Sequence, residues 1–346
     1  MATRTGGYAY DRKIIDGLRA LSWQVDAHAL GEGFPTPDAA ALAQARQVIE
    51  ALPDGALAVV DGLAFGVLGE LAHAHAQRLR WVALVHHPLA LETGLSDTQR
   101  EALQQSERQA LQAARRVVVT SPFTARNLAA DFGVPAARID VVEPGTDPAP
   151  VATGSQPGEP LNLLCVATVT PRKGHALLVE ALAELRDRRW MLHCAGSLTM
   201  DPACAGSLKQ AIEAHGLQER VLLHGEQDDA GLHGLYAAAD AFVLPSFHEG
   251  YGMALAEAIA RGLPVISTRA GAIADTVPRE AGVLVPPGDV PALRDALRRL
   301  LDDMPWRAQL RSGARAARAT LPDWRHSSER FAHVLLQGNA LNQEGT

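Results

Sequence analysis

The chain has 346 residues, 47% of them apolar and 5% aromatic, enough for two domains of ordinary size, each with its own core. Net charge is −7, from 32 Lys and Arg against 39 Asp and Glu, and no basic run stands out, so nucleic-acid binding is not expected. No run reaches the ~18–20 apolar residues of a membrane span, the first residues lack a signal-peptide pattern, and three cysteines (Cys165, Cys194, Cys204) without zinc-type spacing read as reduced thiols of a cytoplasmic protein.

The chain opens Met-Ala-Thr-Arg-Thr-Gly6-Gly7, and an amphipathic stretch Tyr8–Ser22 follows, with Ile14, Ile15, Leu18 and Leu21 on one side. Two glycines ahead of a helix suit a loop that approaches a ligand, or a plain helix cap. The pattern then alternates. Gln24–Leu30 reads as strand, Asp38–Leu52 as helix, Leu57–Asp61 as strand and Gly66–Arg78 as helix. Trp81–Val85 is the next strand, then helix Asp97–Ala114, strand Arg116–Thr120, helix Pro122–Phe132 and strand Ile139–Val142. Short apolar runs between helical ones imply βαβ units and a parallel sheet. Functional residues then belong at the carboxyl ends of strands. His86 stands there, directly after Val82-Ala-Leu-Val85 and ahead of His87-Pro88. Thr120 or Ser121 suits an N-cap for the helix that follows.

Pro148–Pro160 is rich in Pro, Gly, Ser and Thr without periodicity and reads as a linker. The alternation restarts with strand Leu161–Ala167, helix His175–Arg188, strand Trp190–Ala195, helix Pro202–His215, strand Val221–Leu223 and helix Asp229–Ala239. Between the first strand and helix lies Pro171-Arg172-Lys173-Gly174, adjacent cations ahead of a helix start, which suits a diphosphate. Strand Ala241–Leu244 feeds the most informative stretch, Ser246-Phe-His-Glu249-Gly250-Tyr251-Gly252-Met253-Ala-Leu-Ala-Glu257-Ala-Ile-Ala-Arg-Gly-Leu-Pro-Val-Ile266. A strand, a glycine-bearing loop and a helix offer unpaired N–H groups to an anion, and Gly250 and Gly252 let backbone approach closely. Gly282–Asp289 gives a strand and turn, helices follow at Val290–Asp303 and Pro305–Ala319, and a last one runs from Asp323 to about Leu336.

Glu249 and Glu257, with seven residues between them in that setting, resemble the signature of the retaining glycosyltransferases of family four. The resemblance implies a GT-B fold: two Rossmann-like doubly wound parallel-sheet domains with the donor in the cleft between them. The domains would be residues 1–147 on the acceptor side and 161–322 for the nucleotide sugar, joined by 148–160, with 323–346 packing back on the first. It implies that Glu249 binds donor-sugar hydroxyls, that the amides of Gly250, Tyr251, Gly252 and Met253 hold sugar and diphosphate, and that Glu257 takes the ribose hydroxyls. Arg172 and Lys173 would neutralise the diphosphate, although Thr168 stands where the family carries its usual Arg. Gly7 would pass near the diphosphate, and His86 would lie by the reacting sugar. Taken singly, either glutamate reads as an ordinary helix residue.

The expected reaction is hexosyl transfer with retention from a UDP- or GDP-sugar to an unidentified hydroxyl on a small molecule, glycan or lipid. No cofactor and no metal are expected, since no Asp-x-Asp stretch occurs. Residues 1–150 carry 13 Lys and Arg against 17 Asp and Glu, which weighs against more than peripheral contact with an anionic membrane. Alternatives are a sugar phosphorylase or epimerase of the same fold, or an inactive donor-binding remnant. The last arises because Met1–Thr5 cannot supply the strand that precedes the first glycine loop in the family. The chain is therefore expected to begin late, or its first sheet to be gapped.

Overall fold

The computed structural model describes residues 6–92 and 94–340, with side chains described through residue 338. The chain divides into two compact units, Met1–Gly145 with Pro322–Thr346, and Thr146–Leu321. Among the described residues no helix is long and apolar enough to cross a membrane.

Unit 1 begins with helices α1 (Gly6–Ala20) and α2 (Ala39–Ala51), the latter capped by the Asp38 carboxylate, which accepts from Ala41 N at 2.8 Å. Strand β1 (Leu57–Asp61) runs into two short helices, α3 (Gly62–Phe65) and α4 (Gly69–Ala74). Then come β2 (Arg80–Val85), α5 (Asp97–Ala113), β3 (Arg116–Val119), α6 (Pro122–Asp131) and β4 (Ile139–Val141). The strands pair in parallel in the order β1-β2-β3-β4. The β-branched runs of β2 and β3 are buried almost throughout, as expected for strands covered on both faces.

Four sequence expectations change here. Gly6 and Gly7 form no loop; they are the first turn of α1, where a Cβ on Gly7 would come within 3.3 Å of the His86 ring. Gln24–Leu30 has a strand-like alternation, but no strand among the described residues takes up its backbone groups, and Ala29 O accepts from the Gln44 side chain at 3.1 Å instead. The helix expected at Gly66–Arg78 is shorter than expected: only α4, Gly69–Ala74, forms within it, while α3 precedes it over Gly62–Phe65, and Gly66 and Gly69 are poor helix formers that sit tight against Glu107, Leu89 and Ser106. The sheet of unit 1 shows no gap among the described residues. β1 stands at one end of it, with Val59 40% exposed. The strand in question falls on Met1–Thr5, outside the described residues.

Unit 2 contains β5 (Leu161–Val166), α7 (His175–Ala183), β6 (Trp190–Ala195), α8 (Pro202–Ala214), β7 (Val221–Gly225), α9 (Asp229–Ala238) and β8 (Ala241–Leu244). It continues with α10 (Met253–Ala260), β9 (Val265–Thr268), α11 (Ile273–Thr276), β10 (Gly282–Val285), α12 (Val290–Asp302) and α13 (Met304–Ala317). All six strands are parallel, in the order β10-β9-β8-β5-β6-β7. The chain moves outward from β5 through β6 to β7, then restarts on the other side of β5 with β8. Such a reversal opens a crevice beyond the carboxyl ends of the two strands that flank it. Those strands are β5 and β8, so the loops that follow them must be neighbours. Residues 148–160, which read as a linker, are strapped along this unit. Ala152 N donates to Arg261 O at 2.9 Å, Thr153 N to Ala237 O at 2.9 Å, and Ser155 N to the Asp240 carboxylate at 3.3 Å.

The final helix, α14 (Trp324–Ala340), returns to unit 1 and packs on α1. Gly17 permits that approach, since a Cβ there would overlap Ser328. Trp324 meets the Tyr10 ring edge-on at 5.9 Å, and Ser327 Oγ donates to Glu143 O at 2.7 Å.

Candidate active-site groups in each unit

In unit 2 the loop after β5 carries Arg172 and Lys173, and the loop after β8 carries Glu249. The strand reversal brings them together. Lys173 Nζ donates to Glu249 Oε1 at 2.6 Å, and Ser246 Oγ donates to the same oxygen at 2.6 Å. Arg172 Nη1 lies 3.8 Å from Glu249 Oε2 and donates to His248 O at 2.8 Å. A backbone bond from Phe247 N to Arg172 O, 2.7 Å, ties the loops directly. Gly174, at φ +70°, is required at this crossing because a Cβ would run into Pro245 O.

Glu249 is 6% exposed. Burial alone would raise its carboxyl, but the Lys173 and Arg172 charges and the bonds from Lys173 and Ser246 overrule it and hold the group below the ordinary range. The loop is also fixed from behind. Ala272 N donates to Glu249 O at 2.8 Å, and Thr276 Oγ1 donates to Tyr251 O at 2.5 Å. Gly252, at φ +92°, precedes α10 with no side chain capping the helix, and Met253 is its first residue. Glu257 lies about one turn into α10, four residues past Met253, and is held differently, accepting from Tyr236 Oη at 3.1 Å. Arg261 stacks on that tyrosine ring, 4.1 Å from its centroid.

In unit 1 His86 directly follows β2, beside Asp61 at the end of β1; the register pairs Asp61 with Leu84. His86 Nε2 lies 3.0 Å from Asp11 Oδ1 and 3.4 Å from Asp61 Oδ2. Asp11 is one turn along α1 from Gly7, so both present the same helix face to the imidazole. Burial would lower the His86 pKa, but the two carboxylates outweigh it and raise it to about 9. Asp11 is pushed up by burial. Burial presses the same way on Asp61, but the His86 ring and the Leu63 N–H bring it down. The two carboxylates thus favour the charged form of the His86 ring, whose Nε2 faces both of them. Tyr10 fixes the ring plane edge-on at 5.1 Å and donates to Val142 O at 3.0 Å.

The predicted residues thus fall into sets. Arg172, Lys173 and Glu249 share bonds; Gly250, Tyr251, Gly252 and Met253 lie on the same loop and helix start; Glu257 has its own partners; Gly7 and His86 meet in unit 1. Asp11, Asp61, Ser246 and Tyr236 did not stand out in the sequence. Asp61 alone had a signal, its place at a strand end.

The chain resembles known proteins along most of its length. A model of Glycosyltransferase Family 4 matches residues 16–150, and one of Glycosyl transferases group 1 matches residues 160–303. A D-inositol 3-phosphate glycosyltransferase of Nocardia farcinica is 32% identical over 295 residues, 75% of this chain and 64% of that one. The chain spans between about half and two thirds of the length of the first curated relatives it matches. Among solved structures, sucrose-phosphate synthase from Thermosynechococcus elongatus superposes with a TM-score of 0.81 at 25% identity, covering 98% of this chain and 94% of that one. Anabaena HepE, in complex with UDP and glucose, has a TM-score of 0.69 at 20% identity, covering 86% and 81%. The two parallel-sheet units are those of the GT-B fold, and each half of the chain matches a glycosyltransferase family model of the family-four type.

Proposed function

We propose that the protein moves a hexosyl group from a UDP- or GDP-sugar to an acceptor hydroxyl with retention at the anomeric carbon, without a metal at the phosphates. The observation that carries this reading is the pair Arg172–Lys173 fastened to Glu249 at the β5/β8 reversal, beside the uncapped start of α10. Lys173 has three N–H donors, so one can stay on Glu249 while the others meet phosphate oxygens. Together with Arg172 and the Gly252–Met253 amides it places positive charge where a leaving diphosphate develops negative charge. Glu249 Oε2, whose cation stands 3.8 Å away, is the acceptor for a sugar hydroxyl, and Glu257 takes the ribose. In unit 1 His86 serves as a proton donor toward the transferred sugar rather than as a base, since the Asp11 and Asp61 carboxylates favour its charged form. The acceptor's proton goes to the departing phosphate oxygen, on the face the acceptor attacks. A pair of glycosidase-type carboxylates is not needed for that route. The UDP and glucose held by Anabaena HepE support the donor class.

The test is a thermal-shift screen with UDP, GDP, ADP and their sugars, followed by transfer assays. One diphosphate at 100 times its Kd should raise Tm by roughly 5–10 °C. No shift with any of them removes the donor site. Turnover that needs inorganic phosphate as acceptor identifies a phosphorylase, and activity lost to a chelator and restored by Mg²⁺ or Mn²⁺ overturns metal-independence at the phosphates.

A further inference from the structure

The sequence reading left the cysteines scattered in the core; the fold brings two of them together. Cys165 on β5 and Cys194 on β6 are direct register partners, so their side chains leave the sheet on the same face. His175, the first residue of α7, closes over them. One ligand atom from each of the three lies within 4.8 Å of the others. Cys165, His175 and Cys194 are 0%, 3% and 5% exposed. Neither ring nitrogen of His175 has a hydrogen-bond partner. A buried, unsatisfied imidazole facing two sulfurs is a costly arrangement for a core position, and an ion is one of the few groups that satisfies it.

We propose that Cys165, Cys194 and His175 bind a thiophilic d¹⁰ cation, Zn²⁺ or Cu⁺, in the core of unit 2. Metal–sulfur bonds of about 2.3 Å and metal–nitrogen bonds of about 2.0 Å set donors about 3.5–4 Å apart, so the cluster needs to close by at most about 1.3 Å. Two thiolates and an imidazole are soft donors, which select such ions over Mg²⁺ or Mn²⁺. As each metal–sulfur bond forms, that thiol releases its proton to solvent. The ion would tie the start of α7 to β5 and β6. Gly174 and Lys173 lie one and two residues ahead of His175, so the loop carrying the cation pair would be anchored from below. This site is separate from the phosphates and takes no part in charge neutralisation there.

The experiment measures metal content of the full chain as purified under reducing conditions, then titrates stripped protein with Zn²⁺, Cu⁺ and Co²⁺. The expected result is one ion per chain, with a thiolate-to-cobalt charge-transfer band for the Co²⁺ form. Cys165→Ser and Cys194→Ser should abolish the band, and His175→Gln should weaken binding by about 10-fold or more, as loss of even an outer partner does. Cys204→Ser, outside the cluster, should leave it intact. If the serine variants do not fold, the wild-type titration and the Cys204→Ser control still decide. Absence of stoichiometric binding, a band that depends on Cys204, or a fresh protein two hydrogens lighter through a Cys165–Cys194 disulfide overturns the site.

Discussion

The two polar clusters are built with opposite signs. In unit 1 a cation, His86, sits between the carboxylates of Asp11 and Asp61; in unit 2 a carboxylate, Glu249, sits between the cations Arg172 and Lys173. Both central groups are placed just past parallel strands, and in both cases burial opposes the charge while the partners restore it. Glu107 shows what happens without a counter-charge. It is 4% exposed and accepts from Leu89 N at 2.7 Å and Ala90 N at 3.0 Å, yet its carboxyl is pushed up to about 7 by burial. Backbone donors alone do not offset desolvation there; full charges do.

The largest expected effect comes from breaking the unit 2 cluster. Lys173→Met should weaken nucleoside-diphosphate binding by about 100-fold or more, within the roughly 2–5 kcal/mol cost of unpairing a buried charge. It should also lower Tm, since Glu249 keeps only the Ser246 hydroxyl and, as counter-charge, the more distant Arg172. Adding Glu249→Gln should restore much of the Tm while leaving binding weak, because removing both charges of a pair is far milder than removing one. Calorimetric titration with UDP and GDP checks this. A double variant that binds like wild type would remove Lys173 from the donor site.

The unit 1 cluster should respond in turnover more than in binding. His86→Gln should lower kcat by about 100-fold, the low end for a positioned proton-bearing group. Asp11→Asn should bring the His86 pKa down from about 9 toward its ordinary range, read by NMR titration. The sign for stability follows from the raised folded value. The stabilisation from His86 is fully present below about 6.5 and is lost as pH rises through about 9. A rise from 6.5 to about 9 corresponds to roughly 3 kcal/mol. Urea unfolding on either side of that window should show this loss in wild type and not in His86→Gln.

Glu107→Gln should have the smallest effect, under about 1 kcal/mol at neutral pH, since the amide oxygen keeps one of two N–H partners and no ion pair is lost. Its value lies in the slope. The folded carboxyl of Glu107 holds its proton above the unfolded value of 4.5, so wild-type stability falls as pH rises from there through about 7. The glutamine variant should lose that component. A slope unchanged by the substitution would mean that burial does not govern this carboxyl.

Much of the molecule was legible because apolar period and helix breakers agree. Strand β8, the Gly252 turn, α10 and the stop at Gly262-Leu-Pro264 follow from local chemistry. The lysine–glutamate pair did not, because 76 residues separate Lys173 from Glu249 and only the strand reversal joins them. The same holds for Asp11 and His86, 75 apart. Gly6-Gly7 misled because glycines before a helix suit a loop, whereas here they let the helix come close to the His86 ring. Gln24–Leu30 misled because alternation marks a strand only where a neighbour exists to pair with.

The last helix carries a consequence for the order in which the molecule is made. Trp324, Ser327 and Phe331 on α14 cover Tyr10, Gly145 and the flank of α1, so a wall of the first unit is encoded at the far end of the message. A ribosome finishes the contiguous second unit before it supplies that wall. Until then the nascent first unit shows the apolar face of α1, Ile14 and Leu18 included, to whatever chaperones attend it. A premature stop ahead of Trp324 would thus damage the half of the protein already synthesised.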